Sequence, residues 1–239
     1  MSQKLAHAPH STALLAAAIL AAGTLAGCTS ETLFQSNFNT TPIGSPPAAT
    51  QAIGTASTFG PAGAVVIAGP IGSSTDQWLR VGRADGNAEI AGMQGFLSAM
   101  RPPGQFTLSA AVTVPSGSGL GTIQFGSSIP DTTDELPSFL HLDFMQDNTV
   151  RIDDNPTTEF GTFPRDQPFD VFVTLNTAVT PATAHISLIG AGATGTTDYN
   201  IQSYSQSLAE QFDSVTFWMG FPWTGTFEAT DIVVTHATQ

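Results

Sequence analysis

Cysteine and positive charge are what this sequence has least of. Cys28 is the single cysteine in 239 residues, so no intrachain disulfide is open to the fold and stability must come from core burial. Lys4 is the only lysine, and the five arginines, Arg80, Arg83, Arg101, Arg151 and Arg165, stand apart from one another. No basic stripe exists to neutralise phosphates, which excludes nucleic acid as a partner. Charged residues are only 10% of the chain, without a run of like charges, and 41% of residues are hydrophobic, which is enough apolar material to exclude wholesale disorder.

Several reaction centres are missing as well. No Ser sits in a Gly-x-Ser-x-Gly elbow, no His-Glu-x-x-His occurs, and no EF-hand spacing is present. A serine hydrolase and a zinc hydrolase therefore have no support. No repeat of 20 to 50 residues is visible, which excludes a propeller or solenoid. Helical periodicity is confined to residues 206–212, where Leu208 and Phe212 stand four apart.

What is present begins with an export signal. Lys4 and the amino terminus supply positive charge, and residues 12–26 then run uncharged through Leu14, Leu15, Ile19, Leu20 and Leu25. About 15 apolar residues fall short of the roughly 20 that span a bilayer, so a cleaved signal is expected over residues 1–27. The segment ends Leu25-Ala26-Gly27-Cys28, which resembles the bacterial lipobox, whose cysteine is lipidated and becomes the first mature residue. That resemblance implies an exported protein held in the cell envelope by a lipid on Cys28. Residue 29 is Thr and not Asp, which favours the outer membrane if the source is Gram-negative. Residues 28–36 read as a polar tether, and residues 37–239 as one domain.

Within that domain, short segments rich in β-branched and aromatic residues alternate with Gly, Pro, Asp, Asn and Ser clusters, helped by 23 Gly and 16 Pro. Strands are expected at 64–68, 78–83, 89–91, 95–100, 106–114, 121–125, 139–145, 149–153, 169–175, 184–189, 215–221 and 226–235. Phe169, Val171, Val173 and Leu175 share one parity, and Val215, Phe217, Met219 and Phe221 another. Each set marks a strand with one buried face. In the last segment Phe227 and Ala229 have one parity, and Ile232 and Val234 the other, which predicts a bulge near Thr230 and Asp231. An all-β antiparallel sandwich follows.

The order and spacing of these segments resemble the concanavalin A-like jelly roll, in its laminin-G-like and lectin-like members. The carriers are Asn37-Phe38-Asn39 with Gly44, the strand from Phe139 to Phe144, Phe169 to Asn176 followed by Ala184 to Gly190, and the closing Phe227 to Val234. The resemblance implies that Asp231, at the last strand, joins backbone carbonyls of the N-terminal loop around a structural calcium ion. It also draws His141-Leu142-Asp143-Phe144-Met145-Gln146 towards the Glu-x-Asp-x-x-Glu strand of laminarinase-type and agarase-type glycosidases. Here His141 and Gln146 replace both glutamates, and Asp143 alone cannot supply the two carboxyls that retaining hydrolysis needs. Asp131, Asp134, Glu135, Asp147, Asp153, Asp154 and Asn155 offer oxygen ligands, but the same residue types favour hydrated turns.

Sugar recognition needs aromatic faces beside polar groups, and Trp78, Trp218, Trp223, Tyr199 and Tyr204 are the available platforms. Trp218 is the best placed, opposite in parity to Phe217 and flanked by Thr216 and Gly220, while Trp223 falls in the turn after Pro222. His141 and Asp143 complete the ligand-binding candidates. The expectation is a lipid-anchored extracytoplasmic binding or surface module whose partner is a glycan or another envelope protein. A polysaccharide-active glycosidase or lyase, and a purely structural envelope lipoprotein, are the alternatives.

Overall fold

The computed structural model describes residues 29–84, 89–127, 137–153, 155–220 and 222–237. Cys28, Asp131, Asp134, Glu135, Asp154 and Phe221 lie outside the described residues. The first half of the chain forms β1 (Ser30–Ser36), β2 (Thr55–Phe59), β3 (Val65–Ala68), β4 (Trp78–Arg83), β5 (Ala91–Phe96), β6 (Gln105–Thr113) and β7 (Gly121–Gly126). The second half forms β8 (Ser138–Phe144), β9 (Thr149–Ile152), β10 (Gly161–Thr162), β11 (Phe169–Asn176), β12 (Thr183–Ile189), β13 (Thr194–Asn200), β14 (Ser214–Met219) and β15 (Gly225–Ala237). Among the described residues one short α-helix, α1 (Gln206–Ala209), lies within the 206–212 segment where a helical turn or two is expected.

All pairings are antiparallel. A front layer runs β2-β5-β14-β7-β8-β9, and a back layer runs β13-β12-β11-β6-β15-β4-β3. The two-residue strand β10 bonds both β9 and β13 and joins the layers into one curled sheet. The jelly-roll sandwich read from the sequence is thus the observed architecture.

Between the layers the apolar parities meet. Phe144 of the front layer packs on Phe169 at 5.8 Å and on Phe227 at 5.5 Å in the back layer, and Phe217 stacks on Phe227 at 6.5 Å. A second aromatic cluster fills the other end of the core. There Phe212, just after α1, meets Phe106, Phe125 and Phe139 at 5.1, 6.0 and 5.7 Å. Each such side chain contributes about 1.5–3 kcal/mol by leaving water, and in a chain with one cysteine this burial is the main source of stability.

β15 shows the predicted bulge. Its register against β6 shifts between Thr230 and Val233, and Asp231 takes a positive φ of 50°. Phe227, Ala229, Ile232 and Val234 are all buried as a result. The same strand edge passes from β4, which pairs with residues 225–229, to β1, which pairs with residues 232–237.

β1 corrects the tether reading. Leu33 and Phe34 are both buried, made possible by a register shift between Thr32 and Phe34, so the domain begins at Ser30 and not at residue 37. Their apolar burial outweighs the polar flanks that suggested a linker. The expected pair of strands at 89–91 and 95–100 is one strand, β5, because Gly92 and Gly95 lie inside it and leave room for neighbouring rings.

Strand register also defines the ends of the sandwich. Ser30, Ala237, Gln105 and Asn176 align, so loops 97–104, 177–182 and 201–213 gather with the start of β1. Loops 114–120, 145–148, 163–168 and 190–193 and residues 222–224 gather at the opposite end.

His236 lies in the core near the first end, its ring 4.4 Å from that of Phe106 and its Nε2 without a hydrogen bond among the described residues. Burial, reinforced by Arg101, lowers its pKa, against a backbone hydrogen bond to Pro102 and the charge of Glu31. The unfolded chain therefore binds more protons below the ordinary histidine value of about 6.5, so this contribution to stability is whole above that pH and is lost as pH falls. Denaturant midpoints measured from about pH 8 down to about pH 5.5 are expected to drop, and His236→Leu to flatten that slope.

Candidate functional site

Three of the four ligand-binding candidates share the outer face of the front layer. Along β14, Val215, Phe217 and Met219 turn inward, which puts Ser214, Thr216 and Trp218 outside. Register then fixes their neighbours. Trp218 pairs with Gly92 on β5 and Thr122 on β7, Thr122 with Asp143 on β8, and Asp143 with Arg151 on β9. A parallel row holds Ser57, Gln94, Thr216, Gln124 and His141.

Trp218 owes its position to two glycines. A Cβ on Gly92 would lie 2.6 Å from the Trp218 Cβ and 2.5 Å from the Phe59 ring, and one on Gly220 would collide with the indole itself. The ring therefore lies along the strand, over Gly220, half-exposed. His141 meets it edge-on, with ring centroids 6.2 Å apart and planes at 81°. The indole Nε1 makes no hydrogen bond among the described residues.

The polar groups around this ring are held in place. Thr122 Oγ1 donates to Asp143 Oδ1 at 2.7 Å, and Gln94 Nε2 to Ser214 Oγ at 3.1 Å. His141 Nε2 and Ser138 Oγ are 2.8 Å apart, and the His141 backbone N–H donates to Asp153 Oδ1 at 2.9 Å. Asp153 also accepts from the Tyr199 hydroxyl at 2.9 Å. Gln94, Thr122, Gln124, Asp143 and Thr216 are all buried although they point away from the core. Amides, hydroxyls and one carboxylate thus surround an indole face, the combination that hydrogen-bonds and stacks on a polyol.

Arg151 connects this face with a cleft of about 550 Å³ lined by Met145, Gln146, Asp147, Arg151 and Trp223. Trp223, the fourth candidate, lies there and not beside Trp218. Its carbonyl accepts from Arg83 Nη1 at 2.5 Å, and Gly119 makes room for its side chain. Arg151 Nη2 donates to Asp147 Oδ2 at 2.9 Å. Hydrogen bonds from Thr149, with help from Arg151, hold the Asp147 pKa below the usual carboxylate value, so the cleft holds an ionised carboxylate paired with a guanidinium.

Arg165 fixes the wall of the cleft. Its guanidinium donates to the carbonyls of Met145, Gln146 and Ser118 at 2.8, 3.0 and 2.9 Å and to Asn148 Oδ1 at 2.6 Å, and it covers the Phe163 ring. Nothing in the sequence singled out this residue, because its partners are mostly backbone atoms from distant loops. Thr122 and Gln124 were legible as the polar parity opposite Ile123 and Phe125; Gln94 was hidden by the split assignment of β5.

Two proposed platforms fall elsewhere. Trp78 is 1% exposed and cannot offer a face, since it is enclosed on the back layer next to Ala68. Tyr204 is exposed, but at the end where β1 starts. His185 is a strand residue on the outer back layer, hydrogen-bonded to Asp198 at 2.7 Å.

Asp231 sits on the back layer, away from the row containing Trp218. The N-terminal loop is tied to the segment beside it: Asn39 donates to Asp76 and accepts from the Gln77 backbone N–H, and the Gln77 carbonyl accepts from Thr230 at 2.7 Å. Among the described residues no group of three or more His, Cys, Asp or Glu side chains is arranged to hold a metal ion. Partial desolvation of the carboxyl on an otherwise exposed residue, then repulsion from Asp76 and Asp170, raises the Asp231 pKa. Ionisation of this carboxyl thus costs stability as pH rises above the ordinary aspartate value. Asp231→Asn keeps a residue tolerant of positive φ and removes the repulsion, so its melting temperature in chelator is expected to exceed that of the wild type. The same two proteins test the calcium proposal, under which calcium stabilises the wild type more than magnesium does at matched ionic strength, and the variant no more than magnesium.

No protein-family model matches the sequence, and no curated protein does. Among solved structures, the basic winged bean lectin with the Tn-antigen superposes with a TM-score of 0.52 at 11% identity, covering 88% of this chain and 98% of the lectin. An endo-1,3-β-glucanase from Streptomyces sioyaensis gives 0.51 at 15% identity, covering 88% of this chain and 97% of the glucanase. Both likenesses are of fold, and they place the chain's architecture with the concanavalin A-like jelly rolls.

Proposed function

We propose that the chain is a lipid-anchored extracytoplasmic module that binds glycans on the outer face of its front layer. The observation that carries this reading is Trp218, whose indole lies over Gly220 and whose Cβ sits against Gly92, in a row with Thr122 and Asp143 and edge-on to His141. A sugar ring presents an apolar face of C–H groups and a rim of hydroxyls, and this surface offers a partner for each. The lectin similarity supports the reading at the level of fold.

Trp218→Ala is expected to weaken binding of the purified domain to its best oligosaccharide by roughly tenfold or more, equivalent to about 1.4 kcal/mol, with an unchanged circular dichroism spectrum. Calorimetric titration after a screen of envelope and plant glycans provides the measurement. Full retention of affinity by the variant would remove this face from recognition.

The polysaccharide-active reading needs a second carboxyl to act with Asp143, which is buried in the same row and hydrogen-bonded to Thr122. It requires release of reducing ends from a polymer, lost in Asp143→Asn. Retention on the membrane is assigned to a thioether-linked lipid on Cys28. Cys28→Ser is expected to leave the membrane fraction, and a variant that sediments with membranes at the mature mass would contradict the anchor.

A further inference from the structure

We propose that the end of the sandwich where β1 starts rests directly on the bilayer, with Met100, Val179 and Tyr204 in the headgroup layer. This orientation rests on the acylation of Cys28 proposed above. Because β1 begins at Ser30, only Thr29 separates the first strand from Cys28. Two peptide units reach roughly 7 Å, so the lipid would hold this end of the domain against the surface with no slack.

The loops around Ser30 are joined into one platform. Ser98 N–H donates to the Leu33 carbonyl at 2.8 Å, and Arg101 pairs with Glu31 at 2.6 Å. Gly104 and Thr177 exchange hydrogen bonds, with the Thr177 N–H donating at 2.9 Å and its hydroxyl accepting at 3.1 Å. Gln206 then ties loop 177–182 to the helical segment, accepting from the Ala182 N–H at 2.7 Å and donating to the Val179 carbonyl at 3.3 Å.

This platform presents apolar and aromatic tips to solvent. Tyr204 is 81% exposed, Met100 56% and Val179 40%. Charge does not oppose contact at these three tips. Loops 97–104 and 177–182 contain none of the 19 acidic residues and their one cation, Arg101, is neutralised by Glu31, while in loop 201–213 the acids Glu210 and Asp213 come after the exposed tip at Tyr204. Loops at the opposite end carry Asp147 and Asp166, both held ionised by hydrogen bonds. An acidic protein of net charge -13 is repelled by an anionic leaflet, and tips without a carboxylate, such as those at Met100, Val179 and Tyr204, oppose contact less than tips that carry one. Tyr and Met suit the interface, where a ring or thioether leaves water while polar atoms stay wet.

Such contact stands the sandwich upright. The 13 residues of β15 run from the cleft end to the anchored end, about 40 Å at the usual strand rise. The Trp223 cleft would then face away from the membrane.

The test uses the acylated full-length product, in which Cys28 is blocked and an introduced cysteine is the sole thiol. Val179→Cys, Tyr204→Cys and, at the opposite end, Thr194→Cys are labelled with an environment-sensitive fluorophore. The labelled proteins are reconstituted into phosphatidylethanolamine and phosphatidylglycerol vesicles containing a headgroup spin-labelled lipid. Quenching at positions 179 and 204 is expected to exceed that at 194 several-fold. Acylated protein showing equal quenching at all three, or none at 179 and 204, would overturn the orientation alone. A free Cys28 thiol by mass spectrometry, with no co-sedimentation, would overturn the anchor and the orientation together, and it is read before any fluorescence.

Discussion

Strand β15 must bury residues of both parities, and the rest of the molecule is arranged around that demand. Phe227 and Ala229 face the core before Asp231, and Ile232 and Val234 face it afterwards. A regular strand would turn one pair towards water, at a cost of several kcal/mol in lost apolar burial. The bulge resolves the conflict with one residue at positive φ, and it divides the strand's outer edge between β4 and β1. That division draws the N-terminal segment into the sheet and leaves Ser30 at one end of the sandwich, far from the Trp223 cleft.

The front layer solves a different problem. Its inner face carries Ile123, Phe125, Leu142, Phe144, Val215 and Phe217, while its outer face is lined with amides, hydroxyls and Asp143 that are themselves buried. Buried polar groups need partners, and Thr122 to Asp143 and Gln94 to Ser214 supply them. Pre-positioned groups lose little freedom when a ligand arrives, so a surface of this kind suits recognition without loop closure. Trp218 contributes the apolar part, and the glycines on either side give it space. Arg165 acts at the end of the same face, holding loops from three connections around the cleft.

Much of this was legible in the sequence where apolar residues alternate. The parity of β11 and β14, the kink in β15 and the lone helical turn before Phe212 all follow from spacing. β13 was not legible, because Thr194 to Asn200 contains no aliphatic residue and is a strand through its pairing with β12. β1 was misread for a related reason, since two adjacent apolar residues among polar ones satisfy neither strand nor helix periodicity. Parity placed Trp218 on the right face, but it carries no information on burial by distant segments, so Trp78 was indistinguishable from a platform. The juxtaposition of Thr122 with Asp143 is a cross-strand fact that exists only once register is set.

The three tryptophan indoles supply the most direct test of glycan recognition on the front layer. Each gives one Nε1–H resonance in a nitrogen-proton correlation spectrum, and Trp78, enclosed in the back layer, is an internal reference. On titration with a glycan that binds, the Trp218 resonance should shift in proportion to occupancy while Trp78 stays fixed. Saturating binding that leaves the Trp218 resonance unmoved would contradict the account.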